Sequence, residues 1–204
     1  MLLLSGSRSN ISEQKSLTMS NQSQMVRPEA TWNPVTGCIE VSSGCRTCYA
    51  EREAESLRAN KPNGVLFGCS FPYVQCHEDQ MGVPLRWEKP HLITVSPLAD
   101  LFHESVSFDF IAAIFGAMSV AKHHTFQVPT KRPKRMQAFF DWLQHEADRV
   151  PASAGPASLC YTKLLTNGAE LPRFSRPTDA TWPLPNVHFG EVVVISPNSG
   201  YILL

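Results

Sequence analysis

The sequence lacks a net charge: its 204 residues hold 18 lysines and arginines against 18 aspartates and glutamates. That balance excludes a global pull toward nucleic acid or anionic membrane, so any such binding must come from a local patch. It also lacks an apolar run long enough to span a bilayer, and no membrane association is expected. The opening MLLLSGSRSN has a short apolar stretch with no basic residue ahead of it, which makes a poor signal peptide. No internal repeat is present, which excludes solenoids and propellers. What remains is 43% hydrophobic and 18% charged, the balance of a soluble globular chain with room for one sizeable core. The compartment expected is the reducing cytoplasm.

Cysteine, by contrast, is concentrated. Five of the six cysteines lie between Cys38 and Cys76, and three fall within eleven residues: Cys38, Cys45 and Cys48 in GCIEVSSGCRTCYA. Such crowding argues against bridges spread across a fold, and in a reducing compartment it points to metal binding or catalysis. The thiolates can meet a metal only if the backbone bends, and Gly37 and Gly44 stand just before two of them. Cys48 opens the first expected helix, where the positive end of the dipole favours a thiolate. A [4Fe–4S] cluster normally takes four thiolates, so three would leave one iron free for a substrate or cofactor. The alternatives are a structural zinc completed by Cys69, Cys76 or His77, giving a binding module without catalysis, or three thiols without metal.

Residues 1–29 are rich in Ser, Asn and Gln without periodicity and read as a disordered leader. An extended stretch over 31–37 runs into the cysteine loop. A helix is expected after Cys48, with Ala50, Ala54 and Leu57 on one side, and residues 61–84 read as an irregular excursion. Strands are expected at 92–96 and 124–128. Between them lies a helix that Ser107 could cap, with Ile111, Phe115 and Met118 on one face. Pro133 suits the first turn of a third helix carrying Met136, Phe139, Phe140 and Leu143 at i, i+3, i+4 and i+7. Residues 146–186 hold six prolines and read as an insertion or long loop. A buried strand, Val-rich at 192–194, is expected over 186–195. Thus residues 30–145 form the main α/β unit, 146–186 the insertion, and 187–204 the final strand and tail.

Alternating strands and helices predict parallel βαβ units, and ligands gather at the carboxyl ends of such strands. Three polar segments fall there: the cysteine loop, residues 100–104, and residues 130–135. Asp100 and His103 could act as acid and base or contact a cofactor, or simply cap the following helix. Thr130, Lys131 and Arg132 are candidate cofactor-binding residues. With Lys134 and Arg135 they set four positive charges at a helix start, unfavourable against the dipole unless an anion is bound, although a solvated basic face fits as well. Trp87 reads as a packing residue, His123 and His124 as strand-edge polar residues, and Cys69 and Cys76 as incidental thiols or an accessory metal site.

The strings ATWNPVTGC, SSGCRTCYAER, PLRWEKP, SPLADLFHESV, HHTFQVPTKRPKRM and WPLPNV occur in that order. Together they resemble the phage Gp37/Gp68 family over about residues 30–145 and 182–187. That family is similar to radical S-adenosylmethionine enzymes, which place three cysteines after the first strand of a partial (β/α) barrel of TIM type. The resemblance implies an incomplete barrel of parallel strands. It also implies Cys38, Cys45 and Cys48 as cluster ligands, with S-adenosyl-L-methionine on the fourth iron. One-electron reductive cleavage would give a radical that abstracts hydrogen from a substrate not yet specified. The first cysteine interval is longer here than is usual in radical enzymes. A three-Cys-motif partner protein is implied as a companion, and nucleic acid as a candidate substrate. Relative to that family the stretch 188–204 turns into an apolar tail, so a truncated and inactive member with an open Val-rich edge is a further expectation.

Overall fold

A computed structural model of the chain describes residues 29–41, Cys45, 48–60, 71–149, 155–167, 182–194 and 201–203. The expected leader over 1–28, Gly44 and Cys69 lie outside these residues.

The chain is a mixed α/β protein. Strands β1 (Ala30–Trp32) and β2 (Val35–Thr36) precede helix α1 (Tyr49–Asn60), and β3 (Gln75–Cys76) pairs antiparallel with β2 as a small ribbon. Two short 3-10 turns, Glu78–Gln80 and Val83–Arg86, lead to β4 (Leu92–Val95), α2 (Phe108–Val120) and β5 (Thr125–Thr130). Helices α3 (Pro133–Asp148) and α4 (Pro156–Thr166) follow, then β6 (Val187–Val194) and β7 (Tyr201–Leu203). The main sheet runs β1-β4-β5-β6-β7. Its first four strands are parallel and stand in chain order, while β7 is antiparallel to β6. The Val192–Val194 edge expected to stand open is therefore paired, with Leu203, Ile202 and Tyr201.

Branched and aromatic residues make the sheet core. Ile93 and Val95 of β4 and Phe126 and Val128 of β5 are fully buried. Ser107 caps α2 as expected, its hydroxyl accepting from the Phe110 amide at 3.2 Å. Residues 110–119 of α2 are buried on every side rather than along one stripe. The reason is α4, a helix inside the stretch expected to be an insertion or loop. Gly116 lets the two helices touch: a Cβ there would lie 2.3 Å from the Cys160 carbonyl oxygen. α3 presents Phe139 and Leu143 to the same core, as its spacing predicts. Phe115 and Phe139 stack with centroids 5.3 Å apart at the centre of this aromatic cluster.

At the amino end of β5, His124 is buried rather than at a wet strand edge. Its Nδ1 accepts from the His91 amide at 3.1 Å and its Nε2 faces the Pro84 carbonyl at 3.0 Å, so the ring is neutral and Nε2 carries the proton. Burial pulls its pKa down. Trp87 packs edge-on against His91 and His124, the packing role expected of it.

Candidate functional site

The carboxyl ends of the parallel strands are shaped by two backbone events. β4 stops at Val95, and Ser96 turns the chain aside at φ 50°, a left-handed conformation that costs a non-glycine residue about 1 kcal/mol. β5 continues to Thr130, and its pairing with β4 is already over at Gln127. Pro129 can therefore sit in a central strand: its missing N–H faces no partner on the β4 side. The space left above β4 becomes a cavity of about 350 Å³.

The cysteine loop forms the other wall. Gly37, at φ +81°, pairs with Ala99 and donates to the Leu98 carbonyl at 3.2 Å. A Cβ on Gly37 would strike the Tyr73 carbonyl oxygen at 2.0 Å, so only glycine fits between these two chains. The next amide, that of Cys38, donates to the Phe71 carbonyl at 3.0 Å. Cys38 is thus tied to both sides of the cleft. Cys48 donates its amide to the Cys45 carbonyl at 3.0 Å and directly precedes α1.

Cys38, Cys45 and Cys48 all line the one cavity, with Asp100, Thr130 and Lys131 facing them. Apolar side chains complete it, among them Ile39, Phe71 and Pro97. Six of the eight residues singled out in the sequence line this one space, although they come from three separated segments. The other two, His103 and Arg132, stand behind it. Among the described residues no three Cys, His, Asp or Glu side chains are close enough to share a single metal ion.

Asp100 is buried and saturated. Its Oδ1 accepts from the Phe102 amide at 3.0 Å and the Thr130 hydroxyl at 2.8 Å. Its Oδ2 accepts from the Lys131 amide at 2.9 Å and Arg132 Nη1 at 3.2 Å. With four donors engaged, this carboxylate anchors the turn after β5. His103 Nδ1 accepts from the Ser105 amide at 3.1 Å, a local turn bond. Burial and the Arg132 guanidinium hold this imidazole neutral, below its ordinary value.

Arg132 ties together the elements around the site. Besides Asp100 it donates to Glu104 Oε2 at 2.9 Å, the Ile39 carbonyl at 3.2 Å and the Cys38 sulfur at 3.6 Å. The anion needed at this helix start is thus the protein's own. Burial alone would lower the Arg132 pKa, but Cys38 and the two carboxylates outweigh it and hold the guanidinium charged. Lys131 Nζ lies 3.6 Å from the Cys45 sulfur. Burial pushes the Cys38 thiol up, against the opposing pull of Arg132, and the charges of Asp100 and Cys48 add to the rise. Two polar atoms at the same end of the sheet, Asn33 Oδ1 and Ser96 Oγ, are buried and have no hydrogen-bond partner among the described residues.

A family model described as "Protein of unknown function (DUF5131)" matches residues 22–198. The chain belongs to DUF5131. No curated protein and no solved structure matches this DUF5131 chain. Its other described cysteines stand apart from the cavity. Cys76 is exposed in β3, and Cys160 is buried in α4, where burial lifts its thiol to about 12. His77, weighed as a zinc ligand, instead bonds through Nε2 to the Thr36 hydroxyl at 2.8 Å. Among the described residues, no helix of this DUF5131 protein is long and apolar enough to cross a membrane.

Proposed function

We propose that this protein is an iron–sulfur enzyme of the radical S-adenosyl-L-methionine type, on an incomplete (β/α) barrel of the phage Gp37/Gp68 kind. One observation carries the reading: three cysteines line a single cavity at the carboxyl ends of parallel strands, with space left beside them. The strict chain order of β1, β4, β5 and β6 supports the barrel, because doubly wound sheets reverse direction at a switch point.

The donor set suits a cluster better than one zinc ion. A cubane binds each thiolate through a different iron, so the sulfurs need not converge on one point. A closed zinc site needs a fourth ligand; among the described residues neither Cys76 nor His77 lines the cavity, and Cys69 lies outside them. When bound, the cluster and S-adenosyl-L-methionine would supply one-electron reductive cleavage and hydrogen abstraction.

The chain's own groups do the rest. Cys38, Cys45 and Cys48 would hold the cluster, and Asp100 fixes the turn that carries Thr130 and Lys131. Apolar walls restrict water around the reacting end.

Anaerobic reconstitution of the purified protein with iron and sulfide is the test. The expected outcome is about four irons per chain with visible absorption, lost when the three cysteines are changed together to alanine. One zinc per chain and a colourless protein would replace this reading with the zinc-stabilised binding module.

A further inference from the structure

Lys131 and Arg132 follow one another at the end of β5, and each directs its cation to a different cysteine: Lys131 Nζ to Cys45 and Arg132 Nη1 to Cys38, both at 3.6 Å. The third sulfur belongs to Cys48, at the amino end of α1, where the helix dipole is positive. Two of the three sulfurs thus face a cation, and both cations come from a single dipeptide eighty or more positions away in sequence.

The obvious role for two cations in such a cavity is to grip an anionic ligand from solvent. The geometry argues otherwise for Arg132, which is buried, engaged by Asp100, Glu104 and the Ile39 carbonyl, and absent from the cavity wall. It backs Cys38 from behind. Lys131 does line the wall, but its ammonium is turned to Cys45. Asp100 holds the pair in place, since one carboxylate oxygen takes both the Lys131 amide and the Arg132 guanidinium.

Resting on the iron–sulfur reading above, we propose that Lys131 and Arg132 are positioning residues for the cluster's sulfurs, and that their N–H···S contacts raise the cluster's reduction potential. Hydrogen bonds and positive charge at ligating sulfurs stabilise the reduced, more negative form. The step affected is the entry of one electron from a low-potential reductant into the cluster core, with no bond made or broken. Thr130 belongs to the same turn and acts at one remove: its hydroxyl donates to Asp100 and accepts from the Arg132 amide at 3.0 Å.

Lys131 is the residue to change, because it is half-buried and its loss leaves the Asp100–Arg132 pair intact. Wild-type, Lys131→Met and Lys131→Arg proteins are reconstituted anaerobically, assayed for iron, and poised at fixed potentials with dithionite and mediator dyes. The reduced fraction is read from its paramagnetic signal. Lys131→Met should keep wild-type iron content but show a reduced-to-oxidised ratio about tenfold lower at equal poise, about 59 mV for one electron. Lys131→Arg should recover most of that loss. A ratio in Lys131→Met within about twofold of wild type, with iron present in both, overturns the inference and leaves the cluster reading standing. Wild-type protein that takes up no iron overturns both.

Discussion

The cavity lies between two regions that are packed very differently. On one side, β4, α2, β5 and α3 share a continuous core in which Phe102, Phe115, Phe126 and Phe139 are fully buried. On the other, α1 and the cysteine loop rest on a separate small cluster of Ala50, Ala54 and Leu98, bordered by Cys48, Leu57 and Phe71. Burying an alanine methyl contributes only about 0.8 kcal/mol, so α1 is held mostly by Leu98 and the backbone bonds around Gly37. Exposed apolar side chains also gather on this side, with Ile39, Val41, Tyr49 and Tyr73 all open to solvent. The cations are therefore mounted on the well-packed half and the sulfurs on the lightly packed one. The contacts of Arg132 to Cys38 and the Ile39 carbonyl, that of Lys131 to Cys45 and the Gly37–Ala99 pairing join them. A cluster bound to three loop cysteines would brace the lightly packed half, as metal binding free energy commonly becomes folding free energy.

Three substitutions break that contrast in descending order. Phe139→Ala removes a ring from the aromatic centre and should cost about 3–5 kcal/mol, lowering the midpoint of cooperative unfolding whether or not metal is bound. Asp100→Ala strands a buried guanidinium. Breaking such a pair costs about 3–5 kcal/mol, and the lower end applies here because Glu104 and the Ile39 carbonyl still engage Arg132. It should also halve iron uptake or worse, since Arg132, which backs Cys38, loses an anchor. Leu98→Ala should cost about 2 kcal/mol, felt by α1 rather than by the whole fold. Hydrogen exchange would show α1 amides losing protection while those of α2 keep theirs. Equal loss in both helices would mean that the two regions fold as one unit.

Much of the well-packed half was legible in the sequence, because its signals are local. The apolar run at 92–95, the Ser107 cap and the α3 spacing each predict an element from neighbouring residues alone. α4 was missed although Ala157, Cys160 and Leu164 mark its buried side and Pro156 suits its first turn. The surrounding prolines hid that pattern. Ribbon β2–β3 and strand β7 are two or three residues long and exist only through pairing with distant segments, which no window of sequence reveals. The site residues were legible by type and by strand-end position, not by role. Asp100 as an anchor and Arg132 as a clamp on Cys38 depend on contacts 30 or more positions apart. Ser96 carried no sequence signal at all: its left-handed turn follows from β4 ending short of β5.

Acid sharpens the comparison with the smallest effect. His124 in the packed half and His103 and His77 near the cysteine side are all buried, and burial lowers each below its ordinary value of 6.5. A depressed imidazole stays neutral in the folded chain while the unfolded chain takes up a proton. The stability it contributes is complete above pH 6.5 and is lost as pH falls through that value toward the folded pKa. Each group can supply a slope of at most about 1.4 kcal/mol per pH unit in that window. The unfolding midpoint of metal-free protein should therefore decline steadily below pH 6.5. His124→Gln keeps an acceptor for the His91 amide and a donor for the Pro84 carbonyl but cannot titrate, so its decline should be shallower. If the slopes of wild type and variant coincide, His124 is charged in the folded state, and its two backbone bonds do not hold the ring as described.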